Sequence, residues 1–138
     1  MAVTLRNYQA EDYPQVRSNL EIAGLFWEDM DSELLLARMI KRDLESIIVA
    51  EDNGQVVGSV YFTDMGFAAM LSRLNVIPQY RKTGLGEKLI GEVNRRAKAR
   101  GFTQVHLTVH EEQERLVKWY EGRGAWKGNL YRWMGFDL

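Results

Sequence analysis

Residues 74–90 read LNVIPQYRKTGLGEKLI, and this stretch restricts the fold more tightly than the rest of the chain. An apolar run ends at Pro78, which has no N–H to give to a strand ladder. Two cations, Arg81 and Lys82, and two glycines, Gly84 and Gly86, follow. Leu85, Leu89, Ile90, Val93 and Ala97 then recur at helical spacing, with Gly101 as the stop. Strand, glycine turn and long helix in that order imply an α/β sheet with a helix laid across one face. The turn aims backbone N–H groups at one point beside the positive end of the helix, and glycine removes the Cβ atoms that would hold an anion away. It is either a plain connection or a phosphate cradle.

Two familiar cradles do not fit. A P-loop needs lysine and a hydroxyl residue directly after its last glycine, where this chain has Glu87 and Lys88. A dinucleotide fingerprint needs a small third residue where Leu89 stands. What remains, R-x-x-G-x-G, is a weak pattern by itself.

The rest of the chain supplies the context. Val3–Tyr8 alternates as a strand, and Tyr13, Val16, Leu20 and Ala23 follow at helical spacing, with Pro14 in the first turn and Gly24 at the end. LFWEDM reads as a loop, and a second helix begins near Asp31 as N-cap, with Lys41 and Arg42 at its negative end. Asp52-Asn53-Gly54 joins two strands as a hairpin, and the unbroken apolar run Ile47–Ala50 predicts a strand covered on both faces. Phe67–Ile77 is a strand, TQVHLTV another, EEQERLVKWYEGRG a short helix, and LYRWMGFDL a final strand. The order β-α-α-β-β-β-α-β-α-β predicts an α/β (α+β) fold. It would form one domain over 1–138, with a mixed central sheet of about six to seven strands and helices on both faces.

Composition narrows the chemistry. The chain has 138 residues, a formal net charge of −1 and no cysteine, so any anion site must be local, and disulfides and a thiol nucleophile are excluded. Two histidines, His106 and His110, leave little for a zinc site, and no metal is expected. Arg95, Arg96, Lys98 and Arg100 complement a helix C-terminus, so nucleic acid is not an expected partner. No apolar run has the length of a signal peptide or a membrane span, which gives a cytoplasmic expectation.

With this context, LNVIPQYRKTGLGEKLI resembles the acetyl-CoA segment of the GNAT superfamily of N-acyltransferases, in which L-x-V-x-P-x-Y-R precedes x-x-G-x-G and a helix. Leu74, Val76, Pro78, Tyr80, Arg81, Gly84 and Gly86 all fall in register. VAEDNGQVVGSVYF looks like that family's central hairpin, VHLTV like its splayed strand, and WYEGRGA like its late L-Y-E-x-x-G-F segment. The resemblance covers nearly the whole chain.

The resemblance implies acetyl-CoA as co-substrate and transfer of its acetyl group to a primary amine by direct attack. The pantetheine arm would pair with Leu74, Asn75 and Val76, and the diphosphate would sit on the amides of Arg81, Lys82, Thr83, Gly84, Leu85 and Gly86. Tyr120 matches the tyrosine that protonates the departing thiolate, a role open to a phenol within hydrogen-bond reach. Gln113 stands where relatives carry a cofactor-binding asparagine. Phe26, Trp27 and Glu28 belong to the segment that forms the acceptor wall, and His110 ends the splayed strand near the acceptor entrance. The acceptor would be a small-molecule amine or a peptide or protein amine, the assembly a monomer or homodimer.

This chain also departs from the pattern. Lys82 replaces a common glycine, Ala125 replaces an aromatic, and Phe67–Ile77 offers no carboxylate as general base. Asp64 and His110 are the alternatives, beside a water relay or an amine already deprotonated. A non-catalytic acyl-CoA-binding or sensor domain on the same fold is the rival reading, and an interaction module whose turn binds nothing is a third.

Overall fold

Ile47, Ile48, Val49 and Ala50 are all fully buried, as an apolar run without polar alternation requires. They open strand β2 (Ile47–Asp52) in a computed structural model that describes residues 2–138. The chain divides into two compact units, one ending at Thr108 and one spanning Val109–Leu138.

The first unit is built on β1 (Thr4–Asn7), β2, β3 (Gln55–Asp64), β4 (Ala69–Val76) and β5 (Val105–His106), hydrogen-bonded in that order. The first three pairings are antiparallel and β4–β5 is parallel, so the sheet is mixed as expected. It has five strands rather than six or seven. Asn53 and Gly54 both take positive φ, 50° and 79°, which closes the β2–β3 hairpin with the twist that matches its strands.

Helices cover both faces. Val16 and Leu20 of α1 (Tyr13–Ile22) and Leu36 of α3 (Glu33–Arg42) pack with Ile47, Val49, Val56 and Tyr61. On the opposite face, Leu85, Leu89, Val93 and Ala97 of α4 (Leu85–Ala99) pack with Ile48, Ala50, Val57, Val60 and Phe62. Full burial of each large aliphatic side chain contributes about 1.5–3 kcal/mol. The basic residues at the end of α4 are taken up by neighbouring acids. Arg95 and Arg96 pair with Glu92, and Arg100 pairs with Asp43, Glu45 and Asp64.

Two bulges shape the sheet. Ala50 pairs with Gly58 and Glu51 with Val56, so Val57 is an extra residue in β3. Helix α1 secures this point: Gln15 accepts from Val56 N–H at 2.8 Å and Asn19 donates to Val56 C=O at 2.9 Å. One turn separates those two side chains, which lets a single helix face hold both backbone groups. The second bulge lies in β4, where Ser59 pairs with Asn75 but Tyr61 pairs with Ser72.

Three expectations are corrected. LFWEDM is not a plain loop, because Glu28–Asp31 forms a short helix, α2. TQVHLTV contributes only Val105–His106 to the sheet. LYRWMGFDL forms no strand; in the second unit only α5 (Glu114–Glu121) is regular, and residues 125–138 are irregular. Alternation says which side chains would share a face, but a strand also needs a neighbouring edge to bond. Among the described residues no helix is long and apolar enough to cross a membrane.

Candidate active site

The site is organised by how β4 leaves the sheet. Its parallel ladder with β5 consists of Ala69 opposite Val105 and Met70 opposite His106. From Leu71 onward β5 no longer accompanies it. On its other side β4 stays bonded to β3, but two residues, Arg73 and Leu74, stand opposite the single Val60. Arg73 lies at φ +56°, in the left-handed region. For a residue with a Cβ this costs about 1–2 kcal/mol, and the bulge bends the strand while Asn75 and Val76 stay paired with Ser59 and Gly58. Leu74, Asn75 and Val76 therefore form a redirected strand segment. Asn75 is buried and donates to Ser59 Oγ at 2.9 Å and to Arg73 C=O at 3.0 Å, so its amide group ties the bulge to β3.

Pro78–Tyr80 makes one 3₁₀ turn after β4, and α4 starts at Leu85. Gly84 is its N-cap at φ +85°, with no side-chain cap on the helix, and a Cβ added there would meet nothing within 4 Å. The glycine therefore serves backbone conformation and an open approach, not tight packing. Lys88 N–H bonds back along the helix to Gly84 C=O at 3.1 Å. First-turn N–H groups have no carbonyl of their own helix to bond, so they can receive an anion. Lys82 takes φ +63°, a conformation that glycine accepts without strain. Arg81 turns its Nε back to Val76 C=O at 3.1 Å, and Thr83 Oγ1 donates to Tyr80 C=O. Tyr80 in turn donates to the Asp52 carboxylate at the hairpin turn. Strand end, turn and helix start are thus tied together by side chain-to-backbone bonds.

Phe26, Trp27 and Glu28, the residues expected at the acceptor wall, lie in the same unit. Phe26 is partly buried under Arg17, whose guanidinium carbon stands 4.5 Å from the ring centre. Trp27 is half exposed, and Glu28 is exposed with its carboxylate 4.0 Å from Arg17. Sequence reasoning placed Asp31 as a helix N-cap, but Ser32 fills that role, its side chain accepting from Leu35 N–H. Asp31 is instead completely buried. It accepts from Trp27 N–H at 3.0 Å, from Tyr61 O–H at 2.8 Å and from Arg73 Nε at 3.1 Å. Burial, together with the Asp31 charge and its hydrogen bond, pushes the Tyr61 phenol well above the usual tyrosine range. Arg73 did not stand out as a site residue in the sequence. The one available signal was that it is the only charged residue of its strand.

His110, Gln113 and Tyr120 fall in the second unit. His110 Nδ1 accepts from Glu112 N–H at 3.1 Å, which engages one ring nitrogen in the turn before α5. Gln113 is the N-cap of α5, with its side chain exposed and uninvolved in capping. Tyr120 is half-buried on α5, edge-on to Trp119 with ring centres 5.0 Å apart. Burial raises its phenol above the ordinary value. It therefore stays protonated across the neutral range and is available as a donor.

Comparison with known proteins gives the family and the fold. The model of the acetyltransferase (GNAT) family matches residues 3–125. An acetyltransferase of Pectobacterium atrosepticum is 30% identical over 117 residues, covering 85% of this chain and 83% of that protein. One from Yersinia pseudotuberculosis is 31% identical over the same shares. Among solved structures, PaiA N-acetyltransferase from Thermoplasma acidophilum, in complex with coenzyme A, superposes with a TM-score of 0.80 at 20% identity, over 90% of this chain and 89% of that one. AAC(6')-Iy with a bisubstrate analogue superposes at 0.77 and 15% identity over the whole of both chains. At such identities the structural likeness speaks for the fold.

Proposed function

The chain belongs to the acetyltransferase (GNAT) family, and we propose that it transfers the acetyl group of acetyl-CoA to a primary amine by direct attack. The observation that carries this reading is the continuous path from the β4 bulge to the uncapped, glycine-started N-terminus of α4. Leu74, Asn75 and Val76 would receive the pantetheine arm along the strand, and the amides of Arg81 to Gly86 the diphosphate. Arg81 and Lys82 add positive charge beside it.

In the proposed reaction a neutral amine attacks the thioester carbonyl. A backbone N–H of the bulge stabilises the oxygen as it gains charge. The new C–N bond forms, the C–S bond breaks, and the thiolate takes its proton from Tyr120. The sequence between 67 and 77 supplies no carboxylate; in this reading the amine enters as its free base, the new amide nitrogen loses its surplus proton to solvent, and Tyr120 regains a proton from solvent. Gln113 is proposed as a cofactor contact through its free amide. Phe26, Trp27, Glu28 and His110 are proposed for the acceptor side, which suits a small-molecule or peptide amine.

The missing strand carboxylate also favours a second reading, a non-catalytic acyl-CoA-binding domain. Calorimetric titration of acetyl-CoA into wild type and Gly86→Trp, both checked for folding by circular dichroism, tests what the two readings share. Binding that the variant loses supports the cradle, and no binding by folded wild type sinks both readings. Turnover with a panel of amines then separates enzyme from sensor.

A further inference from the structure

Asp31 is the one fully buried carboxylate in the first unit among the described residues, and the groups that satisfy it come from three different segments. Trp27 N–H belongs to the turn that begins α2, Tyr61 O–H to the centre of β3, and Arg73 Nε to the bulge of β4. Arg73 Nη2 also rests on Met30 Sδ at 3.3 Å, so its guanidinium is held against α2 at two points. The backbone C=O of Asp31 accepts from Tyr13 O–H at 3.0 Å, which anchors this end of α2 to α1. A buried carboxylate this well satisfied must keep its partners, because removing one leaves a desolvated charge unpaired.

The geometry points to Asp31 as a positioning residue for acyl transfer, acting through Arg73 to hold the β4 bulge in its left-handed turn and so to fix where the backbone of Leu74–Val76 presents its N–H groups. This rests on the proposed acetyl transfer at that bulge. Arg73 sits in a conformation that arginine does not prefer, and among the described residues its side chain has one ionic partner, Asp31. With the carboxylate gone, Arg73 loses the ion pair that favours its left-handed turn, and the bulge is left with the tie made by the Asn75 amide. The same carboxylate fixes Trp27 and the start of α2. The acceptor wall and the acyl-binding strand are therefore held by a single group, and neither shifts without the other. Among the described residues no hydrogen bond joins Asp31 or Arg73 to the diphosphate turn at Arg81–Gly86, which is tied to the strand end separately through Arg81 Nε and Val76 C=O, so turnover should respond more than cofactor affinity.

The test compares Asp31→Asn, Arg73→Ala and the double variant Asp31→Asn with Arg73→Gly. Asn19→Ala serves as a destabilising control away from the bulge of β4. Positioning predicts that Asp31→Asn and Arg73→Ala each lower kcat at least about tenfold while the Kd for acetyl-CoA stays within about threefold, since one lost orientation of a reacting group is worth that much. Glycine at 73 adopts the left-handed turn without help, so the double variant should recover kcat relative to Asp31→Asn alone. Asn19→Ala should lower the melting temperature and leave kcat unchanged. Should Asp31→Asn not fold, Arg73→Ala carries the test. The inference is overturned if the folded variants keep kcat within twofold of wild type, or if Kd and kcat fall together with no rescue by glycine. A wild type that neither binds nor turns over acetyl-CoA overturns the proposed function instead.

Discussion

Gly58 lies so close to the β4 backbone that a Cβ on it would stand 2.9 Å from the Asn75 carbonyl oxygen and 3.3 Å from Leu89 Cδ1. The first neighbour is backbone and cannot swing aside, and the second is the buried face of α4. Glycine here sets the distance between β3, β4 and the helix that follows the cradle. Gly58→Ala should therefore destabilise the protein by about 1–3 kcal/mol, the usual cost of overpacking. Urea unfolding would read it, and an unchanged midpoint would show that the helix yields without cost.

Lys82 should respond to substitution in two opposed ways. Its φ of +63° is strained for lysine and free for glycine, so Lys82→Gly should raise stability by about 0.5–1 kcal/mol. The same change removes a cation beside the proposed diphosphate site and should weaken acetyl-CoA binding a few-fold, more at low salt than at high salt. Calorimetry and thermal unfolding on one pair of proteins measure both signs. A variant both less stable and tighter-binding would contradict the cradle geometry.

Tyr120→Phe removes the proposed proton donor while keeping the ring against Trp119. Turnover should fall about 100-fold, the scale of a lost general acid, with acetyl-CoA affinity unchanged. Burial lifts this phenol above its ordinary value, so no alkaline loss of rate from Tyr120 should appear below about pH 10. Instead kcat/KM should rise with pH toward the pKa of whichever amine is supplied. A wild-type profile that turns down near neutrality would assign the proton elsewhere.

Acid should loosen the fold in a defined window. The guanidinium of Arg95, assisted by Arg96 and opposed by burial, brings the Glu92 carboxyl from 4.5 down to about 2. Asp43 is lowered as well, chiefly by Arg100. As pH drops through the ordinary carboxylate value, the unfolded chain takes up protons that the native state still refuses. The stability contributed by these pairs is thus complete above that value and disappears as pH approaches the native one. Glu92→Gln should cost about 1–2 kcal/mol at neutral pH, discounted for the exposed Arg95. The difference should vanish near pH 2. A gap that persists in acid would mean packing, not charge, accounts for Glu92.

The strand, turn and helix of residues 74–90 were legible in sequence because glycine, proline and helical periodicity act locally. Pro78 ends the strand, Gly84 takes the left-handed turn, and Leu85, Leu89 and Val93 bury one helix face. The Asn53-Gly54 hairpin was legible for the same reason. Arg73 was not, since an L-residue in a left-handed turn leaves no trace in composition and is held there by Asp31, 42 residues away. Asp31 itself was misread because an acid before a helix suits the helix dipole whether it is solvated or buried. The final strand failed for a related reason: LYRWMGFDL has a fair alternation, but a ladder depends on where a second edge lies.

The two-residue ladder between β4 and β5 has a chemical consequence. The ladder to β5 is two residue pairs long, and residues 107–113 after it carry no helix or strand. Backbone of this kind opens at low free-energy cost and enters a protease cleft readily. Glu111 and Glu112 are exposed there. A glutamate-specific protease used sparingly should cut the chain first at that point, leaving a fragment that keeps β1–β5 and α1–α4. The seam would then be the place to divide this protein into two pieces and ask which of them binds acetyl-CoA.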